Sequence, residues 1–172
     1  MNLPKRRPAR LKGYDYSSAG AYFITVCSHN RKLLFSNIVG EIHESPENVL
    51  TRYGAIVKET IEILPERFNV SVSNYVIMPN HIHMLIDIPS ENGRFVNRPY
   101  GRERSLTDML VGFMKMNVSK RIHALGADIA VWQRSYHDHI IRNENDYENI
   151  WRYIDSNVLL WKKDCFYKKS SQ

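Results

Sequence analysis

Two cysteines in 172 residues, Cys27 and Cys165, are too few for a disulfide framework and form no metal-type cysteine pair. Such sparse thiol usage fits a reducing compartment. No apolar run approaches the ~18 residues that a membrane span needs, so no membrane partner is expected. The opening stretch MNLPKRRPARLKGYDYS is basic but has no apolar core of a secretory signal. A cytoplasmic location is the expectation. No glycine-rich phosphate loop or other nucleotide-cofactor motif occurs, and no segment repeats at a fixed period.

What is present is an ordinary globular composition, 43% hydrophobic and 24% charged. The length suits one domain, residues 1–172, with a substantial core. Lys and Arg number 24 against 18 Asp and Glu, a formal charge of +6, which suits a polyanionic partner. Much of the excess sits in two segments. One is a basic N-terminal arm, residues 1–13, with Arg6, Arg7 and Arg10. The other is residues 89–105, rich in Gly, Pro and Asn, with Arg94, Arg98, Arg102 and Arg104; it reads as a mobile surface loop. Residues 162–172 read as a tail that frays.

Between these segments the pattern alternates. AYFITVCS (21–28) is β-branched and aromatic, as a strand requires. A polar loop precedes ENVLTRYGAIVKETIEILPERF (47–68), whose apolar residues recur at helical spacing and whose Pro65 marks an end. VSVSNYVIM (70–78) and HIHMLIDI (81–88) read as an antiparallel hairpin turned at Pro79-Asn80. A second helix covers 105–125, with Ser105 as N-cap and Asp108 three residues on. A fourth strand lies within 131–142 and a third helix within 144–161. Strand, helix, strand, strand, helix, strand predicts an α+β fold: a ferredoxin-like, split βαβ antiparallel sheet with two helices on one face. The extra C-terminal helix is free to cross the other face.

Within that frame VIMPNHIHML (76–85) is anomalous, because it sets two histidines in an apolar strand. Side chains alternate along a strand, so Ile82, Met84, Ile86 and Ile88 share the helix-covered face. His81 and His83 look outward from the other face, roughly 7 Å apart at the backbone, near enough to share one ion. Two hydrogen-bonded, half-exposed histidines are the plainer alternative. Tyr153 and Asn157 lie four apart on the third helix and are neighbours on one edge. If that helix crosses the open face, Asn157 brings an oxygen to the same ion and Tyr153 sits one turn away.

NHIHMLIDI, followed by YHDHIIRNENDYENIWRYIDSN, resembles the single-tyrosine HUH transposases (His-hydrophobic-His), and among them the REP-associated tyrosine transposases. YDYSSAGAYFITVCSHNRKLLF (14–35) and WQRSYHDHIIR (132–142) are also similar to that group, and the resemblance runs from about Arg10 to Trp161. It implies an enzyme that cuts and rejoins single-stranded or hairpin DNA, as monomer or homodimer. By motif, Tyr153 would be the nucleophile, and His81, His83 and Asn157 the ligands of a divalent ion, Mg²⁺ or Mn²⁺. Val158 departs from the proline often found after that asparagine. The implied product is a 5′-phosphotyrosine link with a free 3′-hydroxyl. A phenol of pKa about 10 is a weak nucleophile near neutrality, so a nearby base, water or metal is needed.

Other residues carry a plainer reading beside a functional one. His137 and His139 form a second HxH on a polar strand and read as hydrogen-bonded structure. Tyr147 is a second phenol but has Trp151, no ligand type, four residues on. Lys115 is a candidate phosphate contact or part of a solvated basic face. Two other functions compete with strand transfer: a non-catalytic DNA-hairpin-binding regulator, and an HxH metal-dependent hydrolase with water as nucleophile.

Overall fold

The computed structural model describes residues 19–40, 45–90 and 105–167. Arg6, Arg7, Arg10, Arg94, Arg98, Arg102 and Arg104 lie outside them. Among the described residues six strands and three α-helices follow one another: β1 (Gly20–Cys27), β2 (Ser36–Val39), β3 (Glu47–Leu50), α1 (Arg52–Phe68), β4 (Ser71–Ile77), β5 (His81–Ile88), α2 (Leu106–Ala124), β6 (His137–Ile141) and α3 (Glu144–Ser156). The main sheet is antiparallel in the order β4-β5-β1-β6. With α1 and α2 it forms the expected ferredoxin-like unit, and α3 is the extra C-terminal helix.

Alternation along the strands sorts the two faces. Tyr22, Ile24 and Val26 of β1 and Ile82, Met84, Ile86 and Ile88 of β5 join one buried cluster with α1 and α2. From α1 come Ile56, Val57, Ile61 and Leu64; from α2 come Leu110, Met114, Val118 and Ile122. Burial of this apolar surface is the main stabilising term of the fold. Ser105 caps α2 as expected, its Oγ accepting from Asp108 N at 3.2 Å; α1 is capped by Thr51, whose Oγ1 accepts from Gly54 N at 3.1 Å.

Three expectations need correction. Residues 47–50 are a strand paired with 36–39, not helix; the helix starts only after the Thr51 cap. Pro65 lies inside α1, which ends where Asn69 turns left-handed at φ 50°. The described part of the tail does not fray, because residues 161–167 pack back on the sheet, with Trp161 buried.

Gly54 shows how tightly α1 is seated. A Cβ there would lie 1.9 Å from the Phe35 carbonyl oxygen, so only glycine allows this approach of helix to chain. Helix α3 crosses the second face of the sheet, tied by Asn74 Nδ2 donating to Asp155 Oδ1 at 2.8 Å and by the buried Ile154. That crossing decides the site.

Candidate metal centre

Strand parity turns His81 and His83 away from the α1/α2 core, as expected, yet neither is exposed. Their accessibilities are 0% and 1%, because α3 and residues 161–167 cover that face. Phe166 lies 4.5 Å from the His81 ring, and Phe23 stacks on His83 at 5.0 Å. The two imidazoles approach to 4.5 Å between centroids. The plainer alternative of half-exposed rings does not hold, and the sequence could not decide it because it does not say what the third helix covers.

Each ring is oriented by a partner on one nitrogen. His83 Nδ1 pairs with Thr25 Oγ1 at 2.8 Å, and His81 Nδ1 pairs with Asn80 Oδ1 at 2.9 Å. Asn80 is held in turn by donating to the Phe166 carbonyl at 2.9 Å. The Nε2 atoms are left to the interior. His81 Nε2 is buried without a hydrogen-bond partner and lies 3.9 Å from Asp164 Oδ2. The Tyr153 hydroxyl lies 3.3 Å from His83 Nε2.

Burial holds both imidazoles neutral. It lowers His81 to about 4, against the opposing pull of Asp164. It takes His83 well below the usual histidine value, with His81 adding to the effect. Tyr153 is raised, first by burial and then by the Asp164 carboxylate, so its phenol stays protonated at neutral pH. Two neutral imidazoles with lone pairs on Nε2 are the state that binds a cation.

Asn157, one helical turn after Tyr153, is buried as well. It is 2% exposed; its amide approaches the Tyr153 hydroxyl, but neither amide atom makes a hydrogen bond of good geometry. A buried polar group without a partner is costly; together with the orphaned His81 Nε2 it marks a place built for something that accepts lone pairs. His81, His83 and Asp164 offer ligand atoms within 4.8 Å of one another. Two imidazole nitrogens and a carboxylate form a mixed, thiolate-free donor set of the kind that can hold a divalent metal ion.

No family model matches the chain. An uncharacterized protein of Haemophilus influenzae is 35% identical over 173 residues, 94% of this chain and 93% of its own. Another Haemophilus influenzae protein, provisionally named a REP-associated tyrosine transposase, is 23% identical over 142 residues, 81% of this chain and 70% of its own. A solved REP-associated tyrosine transposase bound to a REP hairpin superposes with a TM-score of 0.58 at 20% identity, over 92% of this chain and 73% of that one. The chain shares the fold of that transposase and is similar in sequence to the second Haemophilus protein.

The structure adds a residue to the candidate site that sequence reading missed. Asp164 lies in KKDCFY, a stretch with no pattern to flag it, and reaches the histidines only because the chain folds back after Trp161. Lys115, a candidate phosphate contact, instead donates to the carbonyls of Gln133, Arg134 and Ser135 at 2.9, 3.4 and 3.0 Å; it pins that loop. His139 bonds Asp146 at 2.9 Å on an exposed edge, which is the structural reading of the second HxH. The Tyr147 hydroxyl donates to Asp87 Oδ2 on the sheet at 3.3 Å, and its ring stacks on Trp151. Among the described residues no helix is long and apolar enough to cross a membrane.

Proposed function

We propose that this chain cuts and rejoins single-stranded DNA at hairpins, with Tyr153 as nucleophile, in a single-tyrosine HUH reaction. The observation that carries the reading is the phenol beside His83 Nε2, next to a buried His81 Nε2 and Asn157 amide that make no hydrogen bond of good geometry. His81, His83 and Asn157 would hold Mg²⁺ or Mn²⁺, with Asp164 as a further donor. A bound divalent ion would polarise the phosphoryl oxygens and stabilise the charge that develops on them.

The protein's own groups do the rest. Thr25 and Asn80 fix the tautomer and tilt of the two rings, as outer partners of metal-ligating histidines do. Phe23, Phe166 and Trp161 exclude water around them, which strengthens local electrostatics. Tyr153, 39% exposed, remains reachable by a DNA strand. Its oxygen forms a bond to phosphorus while the bond from phosphorus to the 3′-oxygen breaks. The phenolic proton leaves to solvent and the 3′-oxygen takes one up. The 5′-phosphotyrosine link retains the phosphoester, so a 3′-hydroxyl of another strand reverses the step without a nucleotide cofactor. The arginines at 6, 7, 10, 94, 98, 102 and 104 would add phosphate contacts, each lost contact reducing the salt slope on single strands by about 0.7. A reducing cytoplasm suits two free thiols, Cys27 and Cys165.

Asp164 favours one second reading. An acidic ligand beside an HxH pair is what a metal-dependent hydrolase with water as nucleophile would use. One experiment separates the readings: 5′-flanked hairpin DNA labelled at each end, incubated with the chain and Mn²⁺ and run on a denaturing gel. A covalent protein–DNA band is expected. Cut strands carrying a free 5′-phosphate and no such band would favour hydrolysis; binding with neither would favour a regulator.

A further inference from the structure

Residues 28–32 leave β1 through two consecutive left-handed residues, Asn30 and Arg31, both at φ 53°. Asparagine accepts this conformation readily; a long side chain such as arginine seldom does, and such residues gather at functional sites. The turn is pinned on both sides. Ser28 N donates to Asn80 O at 2.9 Å and Arg31 N to Ser28 O at 3.1 Å, while Ser28 Oγ donates to Lys32 O at 2.7 Å. The guanidinium is thereby aimed over the site. It lies 4.7 Å above the Phe166 ring, which itself lies 4.5 Å from His81.

A guanidinium has five N–H donors. One, on an Nη, goes to the Cys165 carbonyl at 3.1 Å. Among the described residues Arg31 makes no ion pair. A cation without its own acid, held beside a site for a divalent cation, is repulsive until an anion joins them. A phosphodiester is that anion, and the planar fork matches two of its oxygens.

We infer that Arg31 binds the phosphate being cleaved, through the donors left free by its contact with Cys165. This rests on the strand-transfer reading above. The rival role is purely structural: Arg31 would only hold residues 165–166 in place. A phosphate-by-phosphate charge deletion distinguishes the two. The wild-type chain with Mn²⁺ first maps the cleaved phosphate in a hairpin oligonucleotide with a single-stranded flank. Affinity is then measured for the Tyr153→Phe chain, with and without Arg31→Met, on oligonucleotides bearing one methylphosphonate at successive flank positions.

Arg31→Met should weaken binding of unmodified DNA by about tenfold or more. That penalty should vanish only when the neutral linkage sits at the mapped phosphate. Arg31→Lys, which keeps the charge but not the fork, should recover part of it. An equal penalty at every position would overturn the inference in favour of the structural role. A penalty that vanishes at a different phosphate would overturn it too, assigning Arg31 to the flank. Should the wild-type chain form no adduct on any such hairpin, the strand-transfer reading fails first and takes this one with it.

Discussion

Replacing Asn157 with leucine should make the metal-free protein more stable, against the usual direction of core substitutions. Asn157 is 2% exposed, with neither amide atom in a hydrogen bond of good geometry. Removing an unsatisfied buried amide relieves about 1–3 kcal/mol, and burying leucine instead adds about 1.5–3 kcal/mol. Crowding by the branched side chain offsets about 1–3 kcal/mol of that. Taken at the middle of each range, the net is a gain of about 2 kcal/mol. At about 2–4 °C per kcal/mol for a chain of this size, Tm in EDTA should rise by about 4–8 °C, read by circular dichroism. Mn²⁺ should reverse the order of benefit, because a ligand that binds the folded state stabilises it by mass action. The wild-type chain should gain more from added Mn²⁺ than the variant does; a tenfold loss of affinity corresponds to about 1.4 kcal/mol. A lower Tm for the variant in EDTA would mean that the amide has partners and the site is not poised for a ligand. Equal Mn²⁺ gains in both proteins would remove Asn157 from the ligand set.

Stability of the metal-free chain should fall on mild acidification. An unfolded histidine titrates near 6.5, whereas burial lowers His81 to about 4, so between those values the unfolded state binds the extra proton. The contribution is fully present above the unfolded value and is lost as pH falls from about 6.5 towards 4, up to ~3 kcal/mol for His81 alone. Urea titrations in EDTA at stepped pH would measure it, and a flat profile between pH 7 and 5 would contradict the buried neutral ring. Gly54→Ala should destabilise by at least ~1–3 kcal/mol, the range for forced overpacking, since its Cβ would meet backbone at 1.9 Å. An unchanged denaturation midpoint would mean that α1 is seated differently.

The sheet was legible because alternation and turn chemistry agreed along β1, β4 and β5. Ile82, Met84, Ile86 and Ile88 could face one way only, and Pro79-Asn80 could only turn. The α1 boundary was not legible, because ENVLTRY has apolar residues at spacings that fit a strand or a helix. Thr51 as cap, and pairing with 36–39, decide for the strand. The site was half legible. His81, His83, Tyr153 and Asn157 announce themselves by spacing, on one strand and one helix edge. Asp164, Phe166 and Arg31 do not, since their place depends on how the chain folds back after α3, a long-range fact without local periodicity. The burial of the histidines was not legible for the same reason.

The most direct test of the account is to trap the covalent species and find the residue that carries it. Wild-type chain, Mn²⁺ and labelled hairpin DNA would be digested with protease and nuclease, and the nucleotide-bearing peptide sequenced by mass spectrometry. The account predicts a nucleotide mass on Tyr153, absent in Tyr153→Phe and retained in Tyr147→Phe. Tyr153→Phe should keep its fold and its Mn²⁺ affinity, because the ring still packs against Phe23 and His83. A nucleotide on Tyr147, or cleavage by Tyr153→Phe with a free 5′-phosphate, would contradict the central claim.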